Sequence, residues 1–151
     1  MEKHRAHGLF SLIFLSIAFV TAIATFILNG YEIVGMVYLG IIIFCVLLVV
    51  RFFCSKCMCG AKKCSHLFIG ALTAFFKDRK GEDYKMADIV ITMFCLAVLF
   101  LFPQYWLWSF TVPAIIFITM SMVGILEILL FVCRGCENEK CPLGQRIYPA
   151  E

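Results

Sequence analysis

Cysteine is the residue type in this chain whose number and spacing are most typical of a chemical site. Seven of the nine cysteines lie in two clusters, each directly after a long apolar run. The candidate metal ligands in these clusters are Cys54, Cys57, Cys59, Cys64 and His66 in the first, and Cys133, Cys136 and Cys141 in the second. Each cluster opens with a Cys-x-x-Cys pair, a spacing that lets one short turn bring two thiolates to the same ion. The pattern predicts a soft-metal or redox site.

The composition predicts that lipid is the main solvent of the chain. Hydrophobic residues make up 63% of the 151 residues and the mean hydropathy is +0.98, whereas a soluble domain is about 45–50% apolar. The 16 Phe residues lie inside apolar runs, so stacking on nucleic-acid bases is not expected and no nucleic-acid partner is predicted. The expected partner is the lipid bilayer.

Four apolar stretches are long enough to cross a membrane, which requires about 20 residues as a helix. They run from Gly8 to about Leu28, from about Tyr31 to Phe53, from about Met86 to Phe102, and from about Phe110 to Val132. Turn signals at Asn29-Gly30 and at Pro103-Gln104 join them pairwise. We therefore predict an all-α integral membrane four-helix bundle made of two hairpins.

This topology divides the chain into four segments: a first transmembrane hairpin (1–53), a Cys-rich loop (54–85), a second transmembrane hairpin (86–132) and a Cys-rich tail (133–151). All 13 Lys and Arg residues then fall on one side of the membrane. Because basic residues collect on the cytoplasmic side, we expect both termini and both cysteine clusters to be cytoplasmic. An alternative treats the first span as a signal peptide, since Ala22-Ile-Ala24 resembles a cleavage site.

The two halves of the sequence also resemble each other. Cys54, Cys57 and Cys64 align with Cys133, Cys136 and Cys141, which indicates an internal repeat with the clusters as neighbours about an axis along the membrane normal. After the first cluster, residues 67–76 carry apolar side chains at helical spacing but are too few to span. They are predicted to form an interfacial helix on the cytoplasmic side.

Cytoplasmic thiols are kept reduced, so dense Cys-x-x-Cys pairs there favour a metal over disulfides. Zinc is the favoured ion, and a closed zinc site needs four ligands. In one assignment Cys54, Cys57, Cys133 and Cys136 form a joint site, and Cys59, Cys64, Cys141 and His66 supply a second. In the other, one or both clusters hold an iron–sulfur cluster, for which the Cys-Pro at 141–142 is a weak signal. Thiol redox chemistry without metal and juxtamembrane palmitoylation remain further alternatives.

Few other side chains suggest chemistry. Glu127 lies inside the fourth span, where an ionisable group is costly; it is either a proton or ion carrier, paired with Cys45, or a structural group hydrogen-bonded to a neighbouring helix. Cys95 is expected to serve in packing. His4 and His7 are expected to be solvated, with metal contact as the alternative.

The segments RFFCSKCMCGAKKCSHLFIG and CRGCENEKCPLGQ resemble those of small cysteine-rich four-span membrane proteins of prokaryotes. The resemblance implies the topology and carries no catalytic residue across. The sequence thus predicts a metal-binding membrane protein that is more a scaffold or accessory subunit than an enzyme, with a protein partner or a second copy as expected partners. The alternatives are a membrane redox protein and a soft-metal transporter that uses Cys45, Cys95 and Glu127 as its route.

Overall fold

The computed structural model describes residues 2–57, 72–73, 76 and 81–133, with side chains from Ala6 onward. Its helices, numbered along the chain, are α1 (Glu2–Leu28), α2 (Glu32–Phe52), α3 (Met86–Leu101), α4 (Gln104–Leu107) and α5 (Thr111–Glu127). A 3₁₀ turn (Cys54–Lys56) follows α2, and a π-helical turn (Ile128–Val132) extends α5. This part of the chain contains no strand, so the all-α prediction is confirmed for it.

Four of the helical stretches are long and apolar enough to cross a bilayer. They are Ala6–Leu28, Glu32–Lys56, Met86–Leu107 and Thr111–Val132, each between 22 and 25 residues long. Their large apolar side chains are mostly exposed on the outside of the bundle, where lipid would cover them. The structure therefore supports the predicted multi-pass membrane protein. The predicted interfacial helix at 67–76 lies almost entirely outside the described residues, and the internal repeat stays a prediction.

The turn between α1 and α2 forms where the sequence predicts it. Gly30 adopts a φ of +80°, in the left-handed region that favours glycine. The N–H of Tyr31 donates to the Phe26 carbonyl (2.8 Å) and the N–H of Gly30 donates to the Ile27 carbonyl (3.3 Å). This pair of hydrogen bonds is a Schellman motif, which satisfies the last carbonyls of α1 and reverses the chain.

Pro103 leaves a carbonyl of α3 free to accept a hydrogen bond from α2. Because proline has no N–H, the Leu99 carbonyl one turn earlier receives no helical hydrogen bond. The hydroxyl of Tyr38, on α2, donates to that carbonyl instead at 2.8 Å, and the Tyr38 side chain is fully buried. Tyr38 therefore ties α2 to the end of α3.

The aromatic residues after Pro103 divide between two environments. Tyr105 and Trp108 are 81% and 76% exposed, as expected of side chains at headgroup depth. Trp106, in contrast, packs edge-on against Phe26 with ring centroids 6.2 Å apart. Tyr105 and Trp108 therefore suit the membrane interface, while Trp106 packs against the bundle core.

Small residues allow α1 and α5 to approach closely, and this is the most extensive helix contact in the structure. The buried positions of the two helices are Gly8, Ser11, Ala18, Ala22, Thr25 and Phe26 on α1, and Ala114, Phe117, Ser121 and Gly124 on α5. Most of them follow one another at three, four or seven residues, so each set forms one stripe along its helix. At Gly124 a Cβ atom would lie only 2.9 Å from Leu15 Cγ. Such small-residue contacts are the usual basis of helix association in lipid.

Candidate functional site

Both Cys-x-x-Cys pairs begin at the same end of the bundle, which is called here the cysteine end. It contains the start of α1, the end of α2, the start of α3 and the π-helical turn after α5. The opposite end contains the turn at Gly30 and the segment from Pro103 to Phe110. Antiparallel hairpins thus place the described residues of the two clusters, Cys54, Cys57 and Cys133, at one end of the bundle.

Cys54 and Cys57 are the two ends of a single 3₁₀ turn. The N–H of Cys57 donates to the Cys54 carbonyl at 3.1 Å. The turn continues from α2 without a break, since the Phe53 N–H still donates to the Val49 carbonyl and the Ser55 hydroxyl donates to the Arg51 carbonyl. The position of this cysteine pair is therefore fixed by the helix that precedes it.

Lys56, inside the turn, anchors the cysteine pair to α3. Its side chain is fully buried, and its Nζ lies 2.5 Å from Oδ2 of Asp88, which is itself only 6% exposed. The same ammonium donates to the Asp83 carbonyl at 3.1 Å. A buried charge is tolerated only when it is paired and hydrogen-bonded, and this one has both kinds of partner.

Asp88 has a second role at the start of α3. Its Oδ2 also accepts the backbone N–H of Lys85 at 2.8 Å. An acidic side chain at the third helical position that reaches back in this way satisfies one of the free N–H groups of the helix start. One carboxylate thus caps α3 and holds Lys56 at once. The charge of Lys56 is therefore already balanced by that of Asp88.

The segment that returns to α3 packs against the same turn. The Gly81 N–H donates to the Lys56 carbonyl at 3.2 Å, and the Tyr84 hydroxyl donates to the Phe53 carbonyl at 3.3 Å. The Tyr84 ring also lies against the Phe53 ring, with centroids 5.0 Å apart. Backbone and aromatic contacts from the segment before α3 therefore also hold the cysteine turn in place.

On the other side of the cysteine end, Glu127 pairs with α1. Its Oε2 lies 2.9 Å from His7 Nδ1, and both side chains are about one-quarter exposed (26% for His7, 23% for Glu127). The His7 ring stacks on Phe131 with centroids 4.4 Å apart. Phe131 belongs to the π-helical turn, which follows Glu127 and ends at Cys133, whose N–H donates to the Ile128 carbonyl at 2.8 Å. A π-helical turn of this kind is often found at functional sites.

These contacts decide between several sequence-based alternatives. Glu127 is hydrogen-bonded to a neighbouring helix, as its structural interpretation predicts, and its partner is His7 rather than Cys45. The expectation that His7 is solvated is wrong, because the ring is stacked and paired. The side chain of His4 lies outside the described residues.

Cys45 and Cys95 meet in the interior, between α2 and α3. Both are free thiols and buried, with 5% and 1% exposure, and together with Leu99 they form one small buried cluster. Cys95 thus packs as predicted, but its contact with Cys45 could not be found from the sequence. The only available signal was that both residues fall on the buried stripes of their helices.

The metal prediction itself is only partly covered by the structure. Of the eight predicted ligands, Cys54, Cys57 and Cys133 lie within the described residues. The other five, Cys59, Cys64, His66, Cys136 and Cys141, lie outside them. Within residues 2–57 and 81–133, no three Cys, His, Asp or Glu side chains form a group that could hold one ion. Any closed site therefore needs ligands from beyond these ranges.

Comparisons with known proteins do not assign a family. No protein-family model matches the chain, and neither the curated proteins nor the solved structures contain a match. Arguments about function therefore rest on the residues and contacts of this chain.

Proposed function

We propose that this multi-pass membrane protein binds a metal ion, zinc by preference, through the two cysteine clusters at its cysteine end. It would act as a non-enzymatic scaffold or accessory subunit that presents this metal module at the cytoplasmic face. The observation that carries the proposal is the anchored turn at Cys54 and Cys57, in which the buried pair of Lys56 and Asp88 holds the two cysteines in a fixed position.

The anchoring supports a metal module rather than incidental cysteines. Neither thiol palmitoylation nor packing requires that two cysteines three residues apart be held by a buried ion pair. A tetrahedral zinc site, in contrast, gains from ligands whose backbone is fixed by surrounding hydrogen bonds. The remaining ligands would come from Cys59, Cys64 and His66 or from the second cluster.

Metal analysis of cysteine variants tests the proposal. Protein purified without oxygen should contain zinc and have no visible absorbance. Visible absorption bands of an iron–sulfur cluster would instead show that the clusters hold the alternative cofactor. Cys57→Ser and Cys136→Ser should each lower the zinc content and the thermal stability, because structural zinc contributes directly to folding. Cys95→Ser is the matched control: it removes a buried cysteine far from the clusters and should leave the zinc content unchanged.

The double variant Cys57→Ser/Cys136→Ser separates one joint site from two separate sites. If both cysteines hold the same ion, the double variant loses no more zinc than either single variant, since residues that serve one site are not additive. If each cluster holds its own ion, the losses add. Wild-type zinc content in both single variants would contradict the proposal.

The orientation is tested independently by thiol labelling. In intact cells, a membrane-impermeant maleimide should not label Cys57 or Cys136, and should label them after the membrane is permeabilised. Ser109 lies exposed at the opposite end, so Ser109→Cys is the matched control and should be labelled in intact cells. The reverse result would place the clusters on the outer face.

A further inference from the structure

We infer that Cys45 and Cys95 form a second metal site, a two-sulfur site for Cu⁺ in the interior of the membrane bundle. This site is separate from the cysteine clusters and does not depend on the function proposed for them. It rests on one juxtaposition: two free, buried thiols on facing helices that belong to the same small buried cluster.

The surroundings of the pair select the kind of ion. The thiols pack against Leu99 and against partly buried apolar side chains of both helices, which are Ile41, Ile42, Leu48, Val49 and Ile91. The nearest hydroxyl on the same stripe of α3 is that of Thr92, and it already donates to the Asp88 carbonyl at 2.8 Å. Hard cations such as Mg²⁺ and Ca²⁺ require six or more oxygen ligands, which this apolar site does not supply.

Ligand number narrows the choice further. Two sulfurs cannot complete a zinc site, which is four-coordinate in structural sites. Cu⁺ is a soft cation that prefers sulfur ligands, and two sulfur atoms on opposite sides suffice to coordinate it. The pair therefore fits Cu⁺, and Ag⁺ is its redox-inert probe.

The two cysteines can bind Cu⁺ without leaving a net charge in their apolar surroundings. When Cu⁺ binds and one of the two thiols releases its proton, one Cu–thiolate bond and one Cu–thiol contact form and the site carries no net charge. Release of the second proton would leave one negative charge among apolar side chains, which is unfavourable. Binding at this site thus exchanges one bound proton for one Cu⁺.

The pair is also connected to the cysteine end by a continuous buried face of α3. Asp88, Thr92, Cys95 and Leu99 follow each other at intervals of four, three and four residues and are all buried. Cys95 is seven residues beyond Asp88, which corresponds to roughly 10 Å along a helix. An ionisable side chain within a membrane bundle commonly marks an ion pathway, and Asp88 is the ionisable residue at the cysteine end of this face.

Copper titration of the full-length protein tests the inference. With a colorimetric Cu⁺ chelator as competitor, Cys45→Ser and Cys95→Ser should each bind one equivalent of Cu⁺ less than the wild type. The double variant should also bind one equivalent less and not two, because both sulfurs serve one ion. Thr92→Val, one turn away on the same buried face, is the matched control and should bind as much Cu⁺ as the wild type.

A measurement on the wild type avoids dependence on the folding of the variants. A short bifunctional alkylating reagent, dibromobimane, should join Cys45 to Cys95, and mass spectrometry would identify the linked peptides. One equivalent of Ag⁺ beyond the amount that saturates the clusters should suppress this link. Unchanged Cu⁺ stoichiometry in both single variants, or a cross-link that forms equally with Ag⁺ present, would overturn the inference. The zinc content of Cys57→Ser is a separate measurement. A negative result for Cu⁺ at Cys45 and Cys95 therefore leaves the zinc site proposed for the clusters unaffected.

Discussion

The contact between α1 and α5 and the contact between α2 and α3 differ in the types of side chain that form them. Along α1 and α5 most buried residues are small, and Gly124 allows the backbones to approach until a Cβ atom would lie 2.9 Å from Leu15. Between α2 and α3 the buried residues include two thiols, a tyrosine hydroxyl and Asp88, whose partner Lys56 lies in the turn after α2.

The difference indicates which contact serves stability and which serves chemistry. Close packing of small residues suffices to associate helices in lipid, where no hydrophobic force acts between them. The desolvation cost of a buried ion pair can exceed the attraction between its charges, and ionisable residues in membrane segments are candidates for functional sites. In the function proposed above, the α2–α3 contact, which is followed by the turn at Cys54 and Cys57, is the chemical side of the bundle, and the α1–α5 contact is the supporting side.

The largest effect should follow from removal of one charge of the buried pair. Lys56→Met leaves the Asp88 carboxylate buried without its cation, and breaking such a pair costs about 3–5 kcal/mol. The free energy of unfolding, measured in detergent with a denaturant titration, should fall accordingly. Because Lys56 anchors the cysteine turn, the zinc content should fall as well.

Two further variants give this prediction its controls. Lys56→Met/Asp88→Asn removes both charges and keeps an oxygen to cap α3, so it should recover more than half of the lost stability. Arg51→Met removes an exposed basic residue one turn earlier and should have little effect. If Lys56→Met is no more harmful than Arg51→Met, the buried pair does not anchor the turn.

On the supporting side, the critical contact is steric. Gly124→Val forces Leu15 and the Ser11 carbonyl away from α5, and such overpacking costs about 1–3 kcal/mol. Gly40 is exposed, and a Cβ atom at this position would meet no atom of the described residues within 4 Å, so Gly40→Val is the matched control and should be nearly neutral. Leu15→Ala should partly rescue Gly124→Val in the double variant. Equal losses at the two glycines would mean that α1 and α5 are not held by close approach.

A smaller effect is expected at the hydroxyl between α2 and α3. Tyr38→Phe leaves the Leu99 carbonyl without a donor, and hydrogen bonds between membrane helices are worth about 0.6 kcal/mol on average and about 1.7 at most. Pro103→Ala restores a backbone N–H for the same carbonyl, so Tyr38→Phe should cost less in that background. The exposed Tyr105→Phe is the control and should not change the stability.

The sequence predicts the features that depend on local chemistry. The four spans follow from apolar length, the turn at Gly30 follows from the Asn-Gly pair, and the shared end of the two clusters follows from the hairpin topology. These predictions need no knowledge of which helix contacts which, and the structure supports each of them.

The features that the sequence could not supply are contacts between distant residues. Lys56 and Asp88 are 32 positions apart, and nothing in their local sequence indicates that a lysine of the cluster is buried. The thiol pair and the pair of His7 and Glu127 likewise depend on helix packing. Apolar periodicity in a membrane helix is weak because lipid and core are both apolar, so the buried face is difficult to predict.

The smallest effect is expected at Glu127, which joins the supporting side to the cysteine end. Its contact with His7 is about one-quarter exposed, and a contact between two partly exposed polar side chains contributes about 0–1 kcal/mol even when both are charged. Glu127→Gln keeps the shape and an oxygen that can accept the Nδ1–H of His7, so it should fold, keep its zinc and lose less than about 0.5 kcal/mol. Glu127→Leu removes the acceptor, exposes His7 to an apolar neighbour and should lose more. If Glu127→Gln instead loses stability or zinc as strongly as Glu127→Leu, the charge itself is required, and Glu127 belongs to the chemistry of the cysteine end rather than to its support.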